Sequence, residues 1–135
     1  MAMLGIDYGQ RRIGIAVAHG GVAVPLTVID SAGDDIDTER IVSMANEYGV
    51  DRIVVGLPRS LDGSEGEQAG RAIAFAEALA KRTDIPVDTC DERLTTVSAD
   101  RMLREAGTKR SKKRASRDAV AAAIILQTYI DGMKV

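Results

Sequence analysis

Short apolar segments divide the first part of the chain into predicted β-strands. Segments 4–7 and 12–18 are separated by a Gly-containing tetrapeptide, 8–11, which predicts a β-hairpin. Further strands are predicted over 22–29, 52–55 and 86–91. The first three strands follow one another directly, so the chain is expected to open with an antiparallel meander.

Helical periodicity dominates the rest of the sequence. Apolar residues recur at helical spacing in three segments, 37–48, 69–80 and 99–106. A glycine follows the first and the third of these segments, as is common at helix C-termini. The last helix is expected to begin near Ser116, a good N-cap residue, and segment 119–130 is apolar on nearly every side, which indicates burial.

The order of these elements, β-β-β-α-β-α-β-α-α, predicts an α/β fold. An antiparallel meander followed by strands that alternate with helices is typical of a mixed five-stranded sheet with helices on both faces. The length of 135 residues suits one domain, 1–135. Hydrophobic residues make up 45% of the chain and aromatic residues only 3%, so we expect an aliphatic core.

Composition restricts the setting in which the protein is expected to work. Cys90 is the single cysteine and cannot form an internal disulfide, which is typical of a reducing compartment. The sequence has neither a secretion signal nor an apolar run near the roughly 18 residues needed to span a membrane. We expect a cytoplasmic protein that does not bind membranes.

Charge is unevenly distributed, although the formal net charge is only −2. The acidic residues of one loop region predict an acidic patch: Asp30, Asp34, Asp35, Asp37 and Glu39. Six cations lie within nine positions near the last helix: Lys109, Arg110, Lys112, Lys113, Arg114 and Arg117. Such a segment either binds phosphates, with an affinity that falls as salt rises, or is an ordinary solvated loop.

Three acidic residues stand at positions that suit chemistry. Asp7 closes the first strand, Glu92 follows the fifth, and Asp118 is predicted in the first turn of the last helix. Each has an ordinary explanation as well: a turn for Asp7, a solvated ion pair for Glu92, and the helix dipole for Asp118.

Taken together, the three acids predict a metal site, because ligands of open sheets bind beyond the carboxyl ends of parallel strands. Two carboxylates about 4 Å apart repel by about 4 kcal/mol at an effective dielectric of 20, so the cluster requires a cation. Arg12 or Arg93 is one candidate for that cation, whereas Mg²⁺ or Mn²⁺ suits an all-oxygen ligand set. The corresponding chemistry is metal-assisted hydrolysis of a phosphodiester.

Four motifs in order resemble those of the YqgF/RuvX family: Asp7-Tyr8-Gly9-Gln10-Arg11-Arg12-Ile13-Gly14-Ile15-Ala16, Val54-Val55-Gly56-Leu57-Pro58, Asp91-Glu92-Arg93-Leu94-Thr95-Thr96 and Asp118-Ala119-Val120-Ala121-Ala122. The resemblance implies an RNase H-like fold and a nuclease that trims the 5′ end of the precursor of 16S ribosomal RNA. It also implies that Asp7, Glu92 and Asp118 are the catalytic, metal-binding acids. The expected substrate-contacting cations are Arg12, Arg93, Lys109, Arg110, Lys112, Lys113 and Arg114.

Several alternatives stay open at the level of the sequence. Junction resolvases of related fold often carry a second Asp three residues along the last helix, where this chain has Ala121, so one or two metal ions are compatible and Asp91 is a candidate replacement ligand. The rival functions are Holliday junction resolution on branched DNA, a non-catalytic RNA-binding module, and a phosphotransferase resembling actin and sugar kinases. A monomer or a weak homodimer is expected.

Overall fold

The centre of the fold is a five-stranded mixed sheet, seen in a computed structural model that describes residues 1–58, 66–91 and 114–133. Its strands are β1 (Ala2–Tyr8), β2 (Arg12–His19), β3 (Val22–Asp30), β4 (Arg52–Leu57) and β5 (Val87–Asp91). They lie in the order β3-β2-β1-β4-β5. The first three strands pair antiparallel, whereas β4 runs parallel to both β1 and β5. The predicted mixed sheet is confirmed.

Helices cover both faces of this sheet, as predicted. They are α1 (Asp34–Glu47), α2 (Gly66–Ala80) and α3 (Arg114–Met133). Helices α1 and α2 pack on one face, and α3 packs across β1, β2 and β3 on the other. None of the helices in the described ranges has the length and hydropathy needed to cross a membrane. The helix predicted over 99–106 lies outside the described residues.

Strand alternation sorts the core residues between the two faces. Along β1, Leu4 and Ile6 join the cluster beneath α1 and α2, whereas Met3 joins the cluster beneath α3. Successive side chains of a strand point to opposite faces. Asp7, two residues after Gly5 and four after Met3, is therefore on the α3 face of the sheet.

Two strand glycines allow α3 to lie directly on the sheet. A Cβ atom on Gly5 would be 2.7 Å from the Cβ of Leu126, and one on Gly14 would be 2.0 Å from the backbone oxygen of Asp118. Real Cβ atoms essentially never approach other heavy atoms so closely. The position of α3 over β1 and β2 is thus set by contact with backbone, a common reason for glycine within a strand.

The start of α1 differs from its prediction because Asp37 has another role. The helix begins at Asp34, and Asp37 is fully buried, accepting hydrogen bonds from Ser31 Oγ at 2.8 Å and Ala32 N at 3.0 Å. Its carboxylate ties the preceding loop to the helix. The assignment of Asp37 to a surface acidic patch is therefore wrong.

Candidate active site

Asp7 is a partly buried carboxylate of the predicted site. It is paired with Gly14 across the β1–β2 hairpin, and Gly14 is where the backbone of Asp118 rests. Two effects raise the pKa of Asp7 from 3.8 to about 6. The larger is the loss of solvent around the carboxyl, and the smaller is the nearby negative charge of Asp118. The structure thus brings two of the three predicted acids together at the carboxyl end of β1.

The packing of α3 on the sheet brings Asp118 to the carboxyl end of β1. The helix begins at Arg114, before the expected start near Ser116, so Asp118 is its fifth residue and the first turn contains no acidic residue. The helix dipole falls off within the first turn and therefore does not account for Asp118. Its observed partner is Arg12, whose Nε donates to Oδ2 at 2.8 Å.

Arg12 supplies one of the two cations that the sequence offered as alternatives to a metal. It is the first residue of β2, and its ion pair with Asp118 is only partly shielded, with side-chain exposures of 36% and 30%. Exposed pairs of this kind contribute roughly 0 to 1 kcal/mol. The guanidinium contacts Asp118, and Asp7 keeps its raised pKa.

The chemistry of the donors fits a hard divalent cation. Two carboxylates that repel each other present oxygen ligands, which Mg²⁺ and Mn²⁺ prefer. Within residues 1–58, 66–91 and 114–133 there is no group of three or more potential metal ligands. Glu92, the third acid of the predicted site, lies outside these residues.

Strand β5 shows which of its residues turn toward α3. Asp88 accepts a hydrogen bond of 2.7 Å from the hydroxyl of Tyr129 in α3, and Cys90 belongs to the core beneath that helix. Alternation therefore places Asp91 on the opposite face, which argues against Asp91 as a replacement ligand. Glu92 and Arg93 lie outside the described residues.

The basic segment is mostly beyond what the structure describes. Lys109, Arg110, Lys112 and Lys113 lie outside the described residues, and Arg114 is known only as the first residue of α3. Arg117 is exposed on that helix. The predicted role of these cations in binding substrate stays a prediction.

The two strand glycines are the site residues that the sequence-based interpretation missed. Gly14 lies within the first motif, 7–16, whereas Gly5 lies outside all four motifs. The available signal was the presence of glycine within apolar strands, which often marks close approach of another backbone. Gly14 is the cross-strand neighbour of Asp7, and a larger residue at this position would push the backbone of Asp118 away from the hairpin.

The family model described as "RuvX: Holliday junction resolvase" matches residues 1–132. The chain belongs to the RuvX family. It is 38% identical over 136 residues to a protein from Desulforudis audaxviator, covering 99% of this chain and 96% of that protein. It is 44% identical to one from Acetivibrio thermocellus, with coverages of 97% and 96%. Both relatives are named "Putative pre-16S rRNA nuclease". The resemblance seen in the motifs is confirmed.

Solved structures show the same fold at low sequence identity. RuvC of Thermus thermophilus, in complex with a Holliday junction, matches with a TM-score of 0.66 at 19% identity, over 99% of this chain and 96% of that one. Fowlpox virus resolvase, also in complex with a Holliday junction, gives a TM-score of 0.59 at 12% identity, with coverages of 98% and 99%. The predicted RNase H-like fold is confirmed.

Proposed function

We propose that this RuvX-family protein is a metal-dependent nuclease that hydrolyses phosphodiester bonds at the carboxyl end of β1. The observation that carries the proposal is the partly buried Asp7 carboxyl, which lies beside Asp118 across Gly14 and has its pKa raised to about 6. Strongly shifted carboxyl groups at the edge of a sheet are common at catalytic sites. Family membership and the names of the relatives support the same activity.

Asp7, Glu92 and Asp118 would hold Mg²⁺ or Mn²⁺ in this proposal. Glu92 is included because it belongs to the segment Asp91-Glu92-Arg93-Leu94-Thr95-Thr96, one of the four motifs that resemble those of the family. When bound, the cation supplies charge for the developing phosphorane oxygens and a water of lowered pKa. The presence of Ala121 in place of a second helical Asp leaves both one and two ions compatible with the chain.

Arg12 would orient Asp118 and contact the substrate phosphate. Its ion pair fixes the Asp118 side chain against the hairpin, and its partial exposure leaves guanidinium N–H groups available to a ligand. The cations Arg93, Lys109, Arg110, Lys112, Lys113 and Arg114 would neutralise further phosphates. Such contacts position a nucleic acid without reading its sequence.

Precursor 16S ribosomal RNA is the substrate we propose, because it is the substrate in the names of relatives that span nearly the whole chain. A role in 5′-end processing during ribosome biogenesis would place the protein in the cytoplasm. Holliday junction resolution is the second candidate, favoured by the description of the family model. Symmetric resolution of a junction needs two sites, so it requires a homodimer, whereas trimming of an RNA end is compatible with a monomer.

The deciding experiment compares Mg²⁺- or Mn²⁺-dependent cleavage of a 16S precursor RNA and a four-way DNA junction by the same preparation. We expect cleavage of the RNA, its abolition by Asp7→Asn or Glu92→Gln, and retention of RNA binding by both variants. Asp84→Asn, a change at an exposed carboxylate outside the site, is the matched control. Specific cleavage of the junction alone would establish the second candidate. RNA binding without cleavage of either substrate would identify a non-catalytic RNA-binding module.

A further inference from the structure

A small pocket lies on the other side of β1 from the carboxylates. It has a volume of about 60 Å³ and is lined by Tyr8, Gly9, Gln10, Gln68 and Arg71. The first three residues form the end of β1 and the start of the hairpin turn, and the last two belong to α2. The pocket therefore lies between the carboxyl end of β1, next to Asp7, and the first turns of α2.

The β1 wall of this pocket is held in place from several directions. The ring of Tyr8 stacks on Phe75 of α2 with centroids 4.5 Å apart, and its hydroxyl donates to Asp34 Oδ1 at 3.1 Å. A Cβ atom on Gly9 would be 2.5 Å from the backbone oxygen of Arg12, so the turn is closely packed at this point. A pocket with such a wall is formed before a ligand arrives, which lowers the cost of binding.

The charges around the pocket favour a neutral ligand. Arg71 supplies the positive charge, but its guanidinium pairs with Glu67 at 3.5 Å, and Asp34 accepts from the hydroxyl of the lining Tyr8. Across the described part of the chain, the side-chain amides of Gln10 and Gln68 make no recorded hydrogen bond. Each amide offers a donor and an acceptor, the combination that a hydroxyl group satisfies.

The size of the pocket further restricts the class of ligand that it can bind. On the same measure, one water needs about 10 to 15 Å³, so the pocket has room for a few water-sized groups. A planar nucleobase is too large for this space, whereas the hydroxyl edge of a sugar fits. The neutral charge balance also disfavours a phosphate.

The pocket is adjacent to the site along the chain, since Tyr8 follows Asp7 directly. Their Cα atoms are about 3.8 Å apart, and their side chains point to opposite faces of the sheet end. A polynucleotide with one phosphate at Asp7 would thus pass over the end of β1. The sugar of a neighbouring nucleotide would then meet Gln10 and Gln68.

We propose that this pocket binds the ribose 2′-hydroxyl of a nucleotide adjacent to the scissile phosphate and so selects RNA over DNA. This inference rests on the proposed nuclease function. It adds a basis for choosing between the two candidate substrates, since the 2′-hydroxyl is the group by which a protein distinguishes RNA from DNA at a given position.

Two measurements test the proposal with a single-stranded RNA oligonucleotide of the 16S precursor and copies that carry one 2′-deoxy substitution at each position in turn. The first is cleavage by wild type, and the second is binding by Asp7→Asn, which does not depend on catalysis. At one position next to the cleaved bond, we expect the deoxy copy to be cleaved and bound about 10-fold less well, as for a lost hydrogen bond that leaves polar groups unpaired. The Gln10→Ala/Gln68→Ala variant should bring this ratio to about 1.

Glu77→Ala, a change at an exposed residue of α2 away from the pocket, is the control and should keep the 10-fold ratio. Thermal melting checks that the double variant is folded, as expected for two exposed glutamines. A ratio that the double variant leaves unchanged, or a wild type indifferent to every deoxy substitution, would overturn the proposal. A pocket-dependent preference in binding without any cleavage by wild type would instead refute the nuclease function and leave the 2′-hydroxyl site supported.

Discussion

Replacing Asp7 with Asn should stabilise the metal-free protein at neutral pH even though it removes one of the proposed metal ligands. The folded state holds the pKa of Asp7 at about 6, compared with 3.8 for an unperturbed Asp. As pH rises above 3.8, the carboxyl ionises in the unfolded chain before it ionises in the folded one, so folding becomes less favourable until the pH exceeds 6. With roughly 1.4 kcal/mol for each pKa unit, a shift of about two units corresponds to about 3 kcal/mol.

The Asn variant does not ionise and avoids this loss. Urea denaturation in the presence of a chelator, at pH 4 and pH 8, measures the effect as the difference in unfolding free energy between variant and wild type. That difference should become more favourable to the variant by about 2 to 3 kcal/mol from the lower to the higher pH. Asp84→Asn, at an exposed position outside the site, is the matched control. An Asp7→Asn difference that does not change between pH 4 and pH 8 would refute the reasoning from burial.

Three further predictions concern the packing and charges around the site. Gly14→Ala should destabilise the protein by about 1 to 3 kcal/mol in urea denaturation, because its Cβ would overlap the Asp118 backbone, whereas Gly70→Ala, in open space on α2, should be neutral or stabilising. Asp118→Asn should lower the pKa of Asp7, measured by NMR titration of the carboxyl carbon; an unchanged or higher value would contradict the repulsion between them. Asp37→Ala should cost about 2 to 3 kcal/mol of thermal or chemical stability, since it removes a buried charged acceptor of two hydrogen bonds; a cost below about 0.5 kcal/mol would show that the loop is held otherwise.

The hydrophobic pattern was sufficient to predict the sheet. All five strands were predicted within a few residues of their observed ends, because apolar segments bounded by Gly, Pro and Asp are strong local signals. Helix starts were less predictable. Asp37 and Ser116 are both residue types that favour N-caps, yet both lie inside their helices, where Asp37 is fixed by contacts with the preceding loop.

The sequence was sufficient to choose residues of the candidate site but not to predict the contacts between them. Asp7 and Asp118 could be chosen from motifs and from their places at element ends. The ion pair that joins Arg12 to Asp118 links residues 106 positions apart, and no local pattern encodes such a contact. The raised pKa of Asp7 likewise depends on burial beneath α3, which appears only when the helix is packed on the sheet.

The glycines beneath α3 separate the stability of the core from the position of Asp118 on the sheet. Since the backbone of Asp118 rests directly on Gly14, no side chain of β2 lies between the helix and the strand at this point. Substitutions farther along the buried side of α3, at Ile125 or Ile130 for example, would then change stability through packing while leaving the contact between Asp118 and Gly14 in place. The core beneath the later turns of α3 is therefore open to redesign for thermal stability without displacing Asp118 from the hairpin.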